Sequence, residues 1–197
     1  SGATYMDGTT DITRTYPLGP LTEDEKRFYT WTLQCHIDLA KAVWLDYCEC
    51  KMIDTIAREP LWRHLINYRC GTGHSVSFVG NVHEGPHALN SRNTTRMHPG
   101  MVVTDEPGVY ETDLVGIRIE NELVCVHKAD NQYGTFLGFE PLMFVPIATS
   151  PILPGVLDKD EIAWLNDYHR QVFAKLAPHL NDEERSWLAE KCAAIGC

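Results

Sequence analysis

The sequence predicts an α+β domain. Three observations carry that prediction. An acid-capped amphipathic stretch opens at Thr22; the segment from Cys70 to Phe144 breaks into short apolar runs punctuated by Gly, Pro, Asn and Thr; and the chain beyond Asp158 returns to helical spacing.

Residues 3–17 read as extended chain, punctuated by Gly8, Pro17 and Gly19. In Thr22-Glu23-Asp24-Glu25 the Thr22 hydroxyl and the Glu25 carboxylate can each satisfy an orphan amide, which is a capping box. The helix that follows carries Phe28, Trp31, Cys35, Leu39 and Ala42 at spacings of three and four, and is expected to end near Tyr47. A second helix is expected from near Met52, with Ile53, Ile56 and Ala57 on its buried face. Pro60 is expected to break or kink it, because proline lacks an amide hydrogen and crowds the preceding turn. Strands are expected in 101–104, 115–119, 123–126 and 138–144, and Pro141, Pro146, Pro151 and Pro154 mark a connector. Two acid-capped helices close the chain. One follows Asp158 and carries Ile162, Leu165, Val172 and Leu176; the other is opened by Asn181 with Glu184. The sequence has neither an internal repeat nor a low-complexity tract.

The 197 residues are 44% hydrophobic and 22% charged, an ordinary globular composition that excludes collagen-like and disordered chains. Lys and Arg total 17 against 27 for Asp and Glu, and the net charge of −10 argues against a nucleic-acid binder that relies on a basic patch. No apolar run approaches the 18 or so residues of a membrane span, and the N-terminus lacks the basic and apolar regions of a signal peptide. The cysteines at 35, 48, 50, 70, 125, 192 and 197 are odd in number and irregular in spacing, which points to reduced thiols in a cytoplasmic protein. Cys48-Glu49-Cys50 is too close a pair for a usual zinc site and reads as a polar turn between helices.

Carboxylates and imidazoles gather in the strand-rich segments. Asp11, His74, His83, Glu106 and Glu120 each stand beside Gly-, Thr- or Pro-containing turns. Acids that end apolar strands would converge in a cleft, and buried like charges are unfavourable unless a cation neutralises them. Oxygen donors with one imidazole suit a divalent metal such as manganese. From the residues alone the other reading stays open: a single buried histidine is as a rule structural. His36, His64, His87, His98, His127, His169 and His179 are expected at the surface or its boundary. Asp105 is an alternative to Glu106, but strand alternation lets only one of two neighbours aim inward.

Several stretches resemble a known family. Gly71-Thr72-Gly73-His74, Asn81-Val82-His83-Glu84-Gly85-Pro86, Asp105-Glu106-Pro107-Gly108-Val109-Tyr110 and Gly116-Ile117-Arg118-Ile119-Glu120-Asn121 are similar to the signature of the Xaa-Pro aminopeptidases (aminopeptidase P, peptidase family M24). Phe136-Leu137-Gly138-Phe139-Glu140-Pro141-Leu142 and Trp164-Leu165-Asn166-Asp167-Tyr168-His169 resemble the C-terminal part of the long cytosolic-type members. The resemblance covers essentially the whole chain.

It implies a partial pita-bread fold, a curved mixed or antiparallel sheet with flanking helices. Residues 1–150 would be the C-terminal portion of the metallopeptidase domain, and 151–197 the helical C-terminal extension. It implies two divalent metals, usually manganese, with Asp11, His74, Glu106 and Glu120 as ligands. The family's first Asp ligand would fall immediately before Ser1, so the chain is expected to be a fragment of an enzyme, binding two metals poorly on its own and inactive. In the whole enzyme the resemblance implies a metal-bridging hydroxide that attacks the carbonyl before a proline. Glu106 would be ligand and general base, and His83 would stabilise the oxyanion or bind the substrate carbonyl. From strand geometry, Arg118, two residues before Glu120, falls on the same face of a regular strand and would orient that carboxylate, with Thr13 as a further supporting residue. Proline offers a rigid ring and a nitrogen without hydrogen, features that an apolar slot can select. Implied partners are peptides with proline at the second position and a second copy in a homodimer, with neither nucleic acid nor membrane.

Three departures stand out. Cys70, at a substrate-binding position, replaces the usual His. Gly73-His74-Ser75-Val76-Ser77 carries Ser where relatives have Gly, and Ser resists positive φ. Residues 45–50 replace a Pro-Lys-Gly turn. The alternatives are a prolidase-like dipeptidase and a non-catalytic pita-bread module that binds peptides or proteins. Asn93-Thr94-Thr95 matches a glycosylation sequon, which has no role in a cytoplasmic chain.

Overall fold

The computed structural model describes residues 2–196; Ser1 and Cys197 lie outside the described residues. The chain opens as an antiparallel hairpin of β1 (Gly2–Tyr5) and β2 (Gly8–Asp11). Helix α1 (Glu23–Ala40) follows, with the expected capping box at Thr22 and Glu25. Next come β3 (Val43–Leu45), α2 (Cys50–Trp62), β4 (Gly73–Ser75), β5 (Glu84–Leu89), β6 (Val102–Asp105), β7 (Gly108–Glu111), β8 (Val115–Arg118), β9 (Asn121–Asn131) and β10 (Gly134–Pro141). Helices α3 (Lys159–Leu176) and α4 (Asp182–Lys191) close the chain, each opened by a capping box, at Asp158 and at Asn181.

Six strands form one antiparallel sheet in the order β3-β10-β9-β6-β4-β5, and β7 pairs with β8 in a separate ribbon. In β9, Leu123 and Cys125 alternate with Glu122 and Val124. The first pair packs with Leu39, Ile53 and Ala57 of α1 and α2 in one core cluster. A second cluster joins Tyr29, Leu33 and Ile37 of α1 to Leu165, Tyr168 and Val172 of α3. The α+β class with an antiparallel sheet and flanking helices is as the sequence predicts.

Several expectations need correction. α1 stops at Ala40, not near Tyr47, and Val43–Leu45 pairs instead with Phe136–Gly138 at the sheet edge. The β-branched and aromatic Val43 and Trp44 favour that pairing, and Trp44 packs on Phe139 at 4.5 Å. Phe28 and Trp31 are only half-buried; α1 is covered on two sides, so no single apolar stripe describes it. α2 begins at Cys50 and runs through Pro60 to Trp62. Pro60 lies in the last turns, where its missing amide deprives only the Ile56 carbonyl and its ring is buried. Cys48 follows the turn after β3 and Cys50 opens α2, so the pair lies between a strand and a helix, and Cys50 is fully buried with a free thiol. The strand expected at 138–144 starts earlier and ends at Pro141. Ser75 sits at a bulge of β4 and is not among the positive-φ positions, so its side chain is accommodated without backbone strain.

Candidate metal centre

Four side chains reach one place from four segments. Asp11 ends β2, His74 is central in β4, Glu106 follows β6, and Glu120 lies between β8 and β9. β4 can approach β6 because residue 73 is glycine: a Cβ there would stand 1.8 Å from the Thr104 carbonyl oxygen. The His74 amide then donates to Thr104 Oγ1 at 3.0 Å, and that hydroxyl donates to Glu106 Oε1 at 3.0 Å. The Glu106 amide donates to the Thr72 carbonyl at 2.7 Å. Glu120 is tied to Thr13 by an isolated antiparallel bridge, its amide 3.0 Å from the Thr13 carbonyl.

His74 Nδ1 lies 3.1 Å from the Ser75 carbonyl, which holds the ring proton there and turns Nε2 toward the acids. Nε2 is 3.1 Å from Glu106 Oε1 and 3.6 Å from Asp11 Oδ2. One ligand atom each from Asp11, His74 and Glu120 lie within 4.8 Å of one another. Glu120 is 2% exposed; the Thr13 hydroxyl donates to its Oε2, while Oε1 has no hydrogen-bond partner. Burial pushes the Glu120 pKa up to about 7; the Thr13 hydrogen bond opposes this and the Glu106 and Asp11 charges add to it. Burial likewise tends to raise Glu106, but His74, Arg118 and Thr104 outweigh it and hold that carboxyl below its ordinary value. For His74, burial favours the neutral ring, yet its contacts with Glu106 and the Ser75 carbonyl raise the pKa on balance. Asp11, His74 and Glu120, with one buried Glu120 oxygen unpartnered and Glu106 adjoining through His74, offer oxygen and imidazole donors of the kind that suits a divalent cation. The residues present fit such an ion.

His83, from an exposed loop, lays its ring against His74 at 4.0 Å between centroids. Cys70 is half-buried and its thiol donates to the Gly108 carbonyl at 3.5 Å, beside the turn after Glu106. Thr13 meets Glu120 through its hydroxyl. Arg118 does not: its Nη1 donates to Glu106 Oε2 and its Nε to the Tyr110 hydroxyl at 2.8 Å. Glu120 stands outside β8, so the assumed strand alternation between residues 118 and 120 does not hold. Asp105 points away from the site, its Oδ2 3.0 Å from His36 Nδ1, both side chains fully buried.

The family profile described as metallopeptidase family M24 matches residues 1–127, and that described as the C-terminal region of peptidase_M24 matches 135–195. The chain belongs to metallopeptidase family M24. This M24 chain is 42% identical over 202 residues to aminopeptidase P1 of Lotus japonicus, covering 100% of the chain and 30% of the relative. It is 44% identical over 195 residues to aminopeptidase P2 of Arabidopsis thaliana, covering 95% and 27%. Its fold matches the X-prolyl aminopeptidase of Caenorhabditis elegans, described as a cytosolic enzyme with a di-nuclear active site, with a TM-score of 0.93 and 39% identity over 98% of this chain and 32% of that one. The prolidase of Pyrococcus furiosus matches with a TM-score of 0.60 and 29% identity over 72% and 39%. The chain thus spans under a third of the length of the curated relatives named here.

Sequence reasoning missed several groups behind this M24 site. Glu122 is 4% exposed and its Oε1 accepts the Asp11 amide; burial pushes its pKa up to about 7. The period-two spacing Glu120-Asn121-Glu122 was the available signal. The histidines expected at the surface divide. His36, His87 and His169 are 0%, 6% and 0% exposed. His87 Nε2 faces the Val102 carbonyl at 2.8 Å, and His169 Nε2 accepts the Ile147 amide at 3.1 Å. No helix among the described residues is long and apolar enough to cross a membrane.

Proposed function

We propose that the protein containing this chain is a dinuclear-metal Xaa-Pro aminopeptidase, which hydrolyses the bond between an N-terminal residue and a following proline. The observation that carries the reading is the His74 imidazole, its Nε2 aimed between Asp11 and Glu106 beside the unpartnered Glu120 oxygen. The named plant and nematode relatives support the substrate class.

In this reading Asp11, His74, Glu106 and Glu120 hold divalent cations, of which manganese suits the oxygen-rich set. Such ions supply Lewis acidity and an acidified water, effectively hydroxide, as nucleophile. Glu106, kept ionised by His74 and Arg118, takes the proton of the attacking water and passes it on to the leaving nitrogen. His83 donates to the scissile carbonyl as it becomes an oxyanion. Cys70, its thiol on the Gly108 carbonyl, meets the substrate. Residues 151–197 are the helical extension of the catalytic portion 1–150. The nematode relative is described as a cytosolic enzyme, which supports a cytoplasmic location, and a homodimer of the full-length enzyme belongs to the same proposal.

The test is hydrolysis of Arg-Pro-Pro against Gly-Pro by the full-length protein with manganese. Preferential cleavage of the tripeptide after arginine supports the reading. Faster turnover of the dipeptide establishes a prolidase instead, and inactivity on both points to a binding module.

A further inference from the structure

Behind the acids lies a polar assembly that the proposed reaction does not use, centred on Arg14. Its guanidinium spends all its donors on neutral acceptors. Nη1 donates to the Thr13 carbonyl at 2.9 Å and to the Glu120 carbonyl, straddling the bridge that joins those two residues. Nη2 donates to Asn121 Oδ1 at 2.7 Å, to the Val145 carbonyl at 2.7 Å and to the Tyr168 hydroxyl at 2.8 Å. Nε donates to the Val145 and Pro146 carbonyls at 3.2 Å each. Among the described residues Arg14 forms no ion pair, so a carboxylate partner does not account for its place.

The planar fork fixes these acceptors relative to one another, which a flexible point charge does not do. One side of the fork holds the backbone of the residues that flank or carry the site: Thr13, whose hydroxyl binds Glu120, and Glu120 itself. The other side holds Tyr168, a residue of α3 that is 1% exposed and stacked on Trp164 at 5.5 Å. Tyr168 is itself locked in place: its hydroxyl also accepts the Val145 amide at 3.2 Å.

We propose that Arg14, braced by the Tyr168 hydroxyl of the C-terminal helical region, is a positioning residue for the Asp11–Glu120 carboxylate pair, so that this region is part of the support of the cation site. The inference rests on the metallopeptidase reading. Its specific content is a hydrogen-bond linkage from α3 to Glu120, as distinct from a general contribution of α3 to the core.

The test uses the full-length protein loaded with Co2+, whose visible absorption reports the geometry of its ligands. Tyr168→Phe removes the hydroxyl and keeps the ring. The expected result is a Co2+ dissociation constant raised about tenfold, the scale for losing a group that orients a ligand, together with an altered absorption band. Val172→Ala, in the same helix, removes buried apolar packing without touching this linkage. It is expected to lower the melting temperature and to leave Co2+ affinity and spectrum unchanged. If Tyr168→Phe does not fold, Arg14→Lys carries the same test, because lysine keeps the charge and loses the fork. Wild-type affinity and spectrum in the folded variant overturn the proposal, as does an equal shift in Val172→Ala. Wild-type protein that takes up no Co2+ overturns the metallopeptidase reading as well, and that outcome is visible before any variant is made.

Discussion

Arg118 is committed to Glu106 through Nη1, while its Nε donates to the Tyr110 hydroxyl at 2.8 Å. A guanidinium held at two points is a rigid support, and the carboxylate it supports is the one assigned the proton-transfer role. Arg118→Lys retains charge but not both contacts. In the full-length enzyme it is expected to lower kcat by about tenfold to a hundredfold, the cost typical of losing a group that orients a ligand, with KM for Arg-Pro-Pro little changed. Steady-state kinetics checks this, and an undiminished kcat removes Arg118 from the machinery.

The second prediction concerns the buried pair His36–Asp105. Their 3.0 Å approach is not well directed for a hydrogen bond, and burial pushes the Asp105 pKa up to about 6. Removing one partner strands the other. His36→Ala is expected to cost about 3 kcal/mol of stability, in the range for a broken buried pair. Adding Asp105→Asn should recover part of that loss, since a neutral amide is cheaper to bury than a stranded carboxylate. Urea unfolding of the two variants measures both.

Stability should also fall in acid through His169. Burial lowers its folded-state pKa to about 4 from an ordinary 6.5. Below 6.5 the unfolded chain binds a proton that the folded chain refuses, so stability is lost as pH falls from 6.5 toward 4. The contribution is about 3 kcal/mol at most. His169→Gln keeps an acceptor for the Ile147 amide and does not titrate. Its melting temperature should therefore vary less with pH across that window than that of the unaltered protein; parallel curves would exclude His169 as the source.

Gly73→Ala places a methyl group against the Thr104 carbonyl, a backbone atom that cannot yield without moving β6. The expected cost is about 2 kcal/mol, as for an overpacked site, together with weaker cation uptake because His74 is displaced. A thermal melt and a Mn2+ titration read the two effects separately.

Much of this was legible in the chain. The helix starts at Thr22, Asp158 and Asn181 follow from side chains bonding their own backbone, a local chemistry that needs no tertiary context. The set Asp11, His74, Glu106 and Glu120 comes from the resemblance to family M24, and the fold brings ligand atoms of Asp11, His74 and Glu120 within 4.8 Å of one another. What escaped were relationships between distant residues. His36 looks like an ordinary helical residue until Asp105 is brought beside it. The register of β3 depends on Phe136–Gly138, far along the chain, so helical spacing was extended too far. Counting along the strand pairs Arg118 with Glu120, but β8 stops short of residue 120 and the contact crosses to Glu106.

Asp11 rides on a two-stranded hairpin outside the six-stranded sheet, tied to the segment around Glu120 by the Thr13 rung, the Arg14 fork, the Thr15–Arg118 hydrogen bonds and its own amide on Glu122. Such an appendage opens at lower free energy than the ladder behind it. If these ties yield before the helices melt, Asp11 parts from His74 and Glu120 while the core packing persists. On warming, affinity for the ions should then vanish at a lower temperature than the far-ultraviolet helix signal.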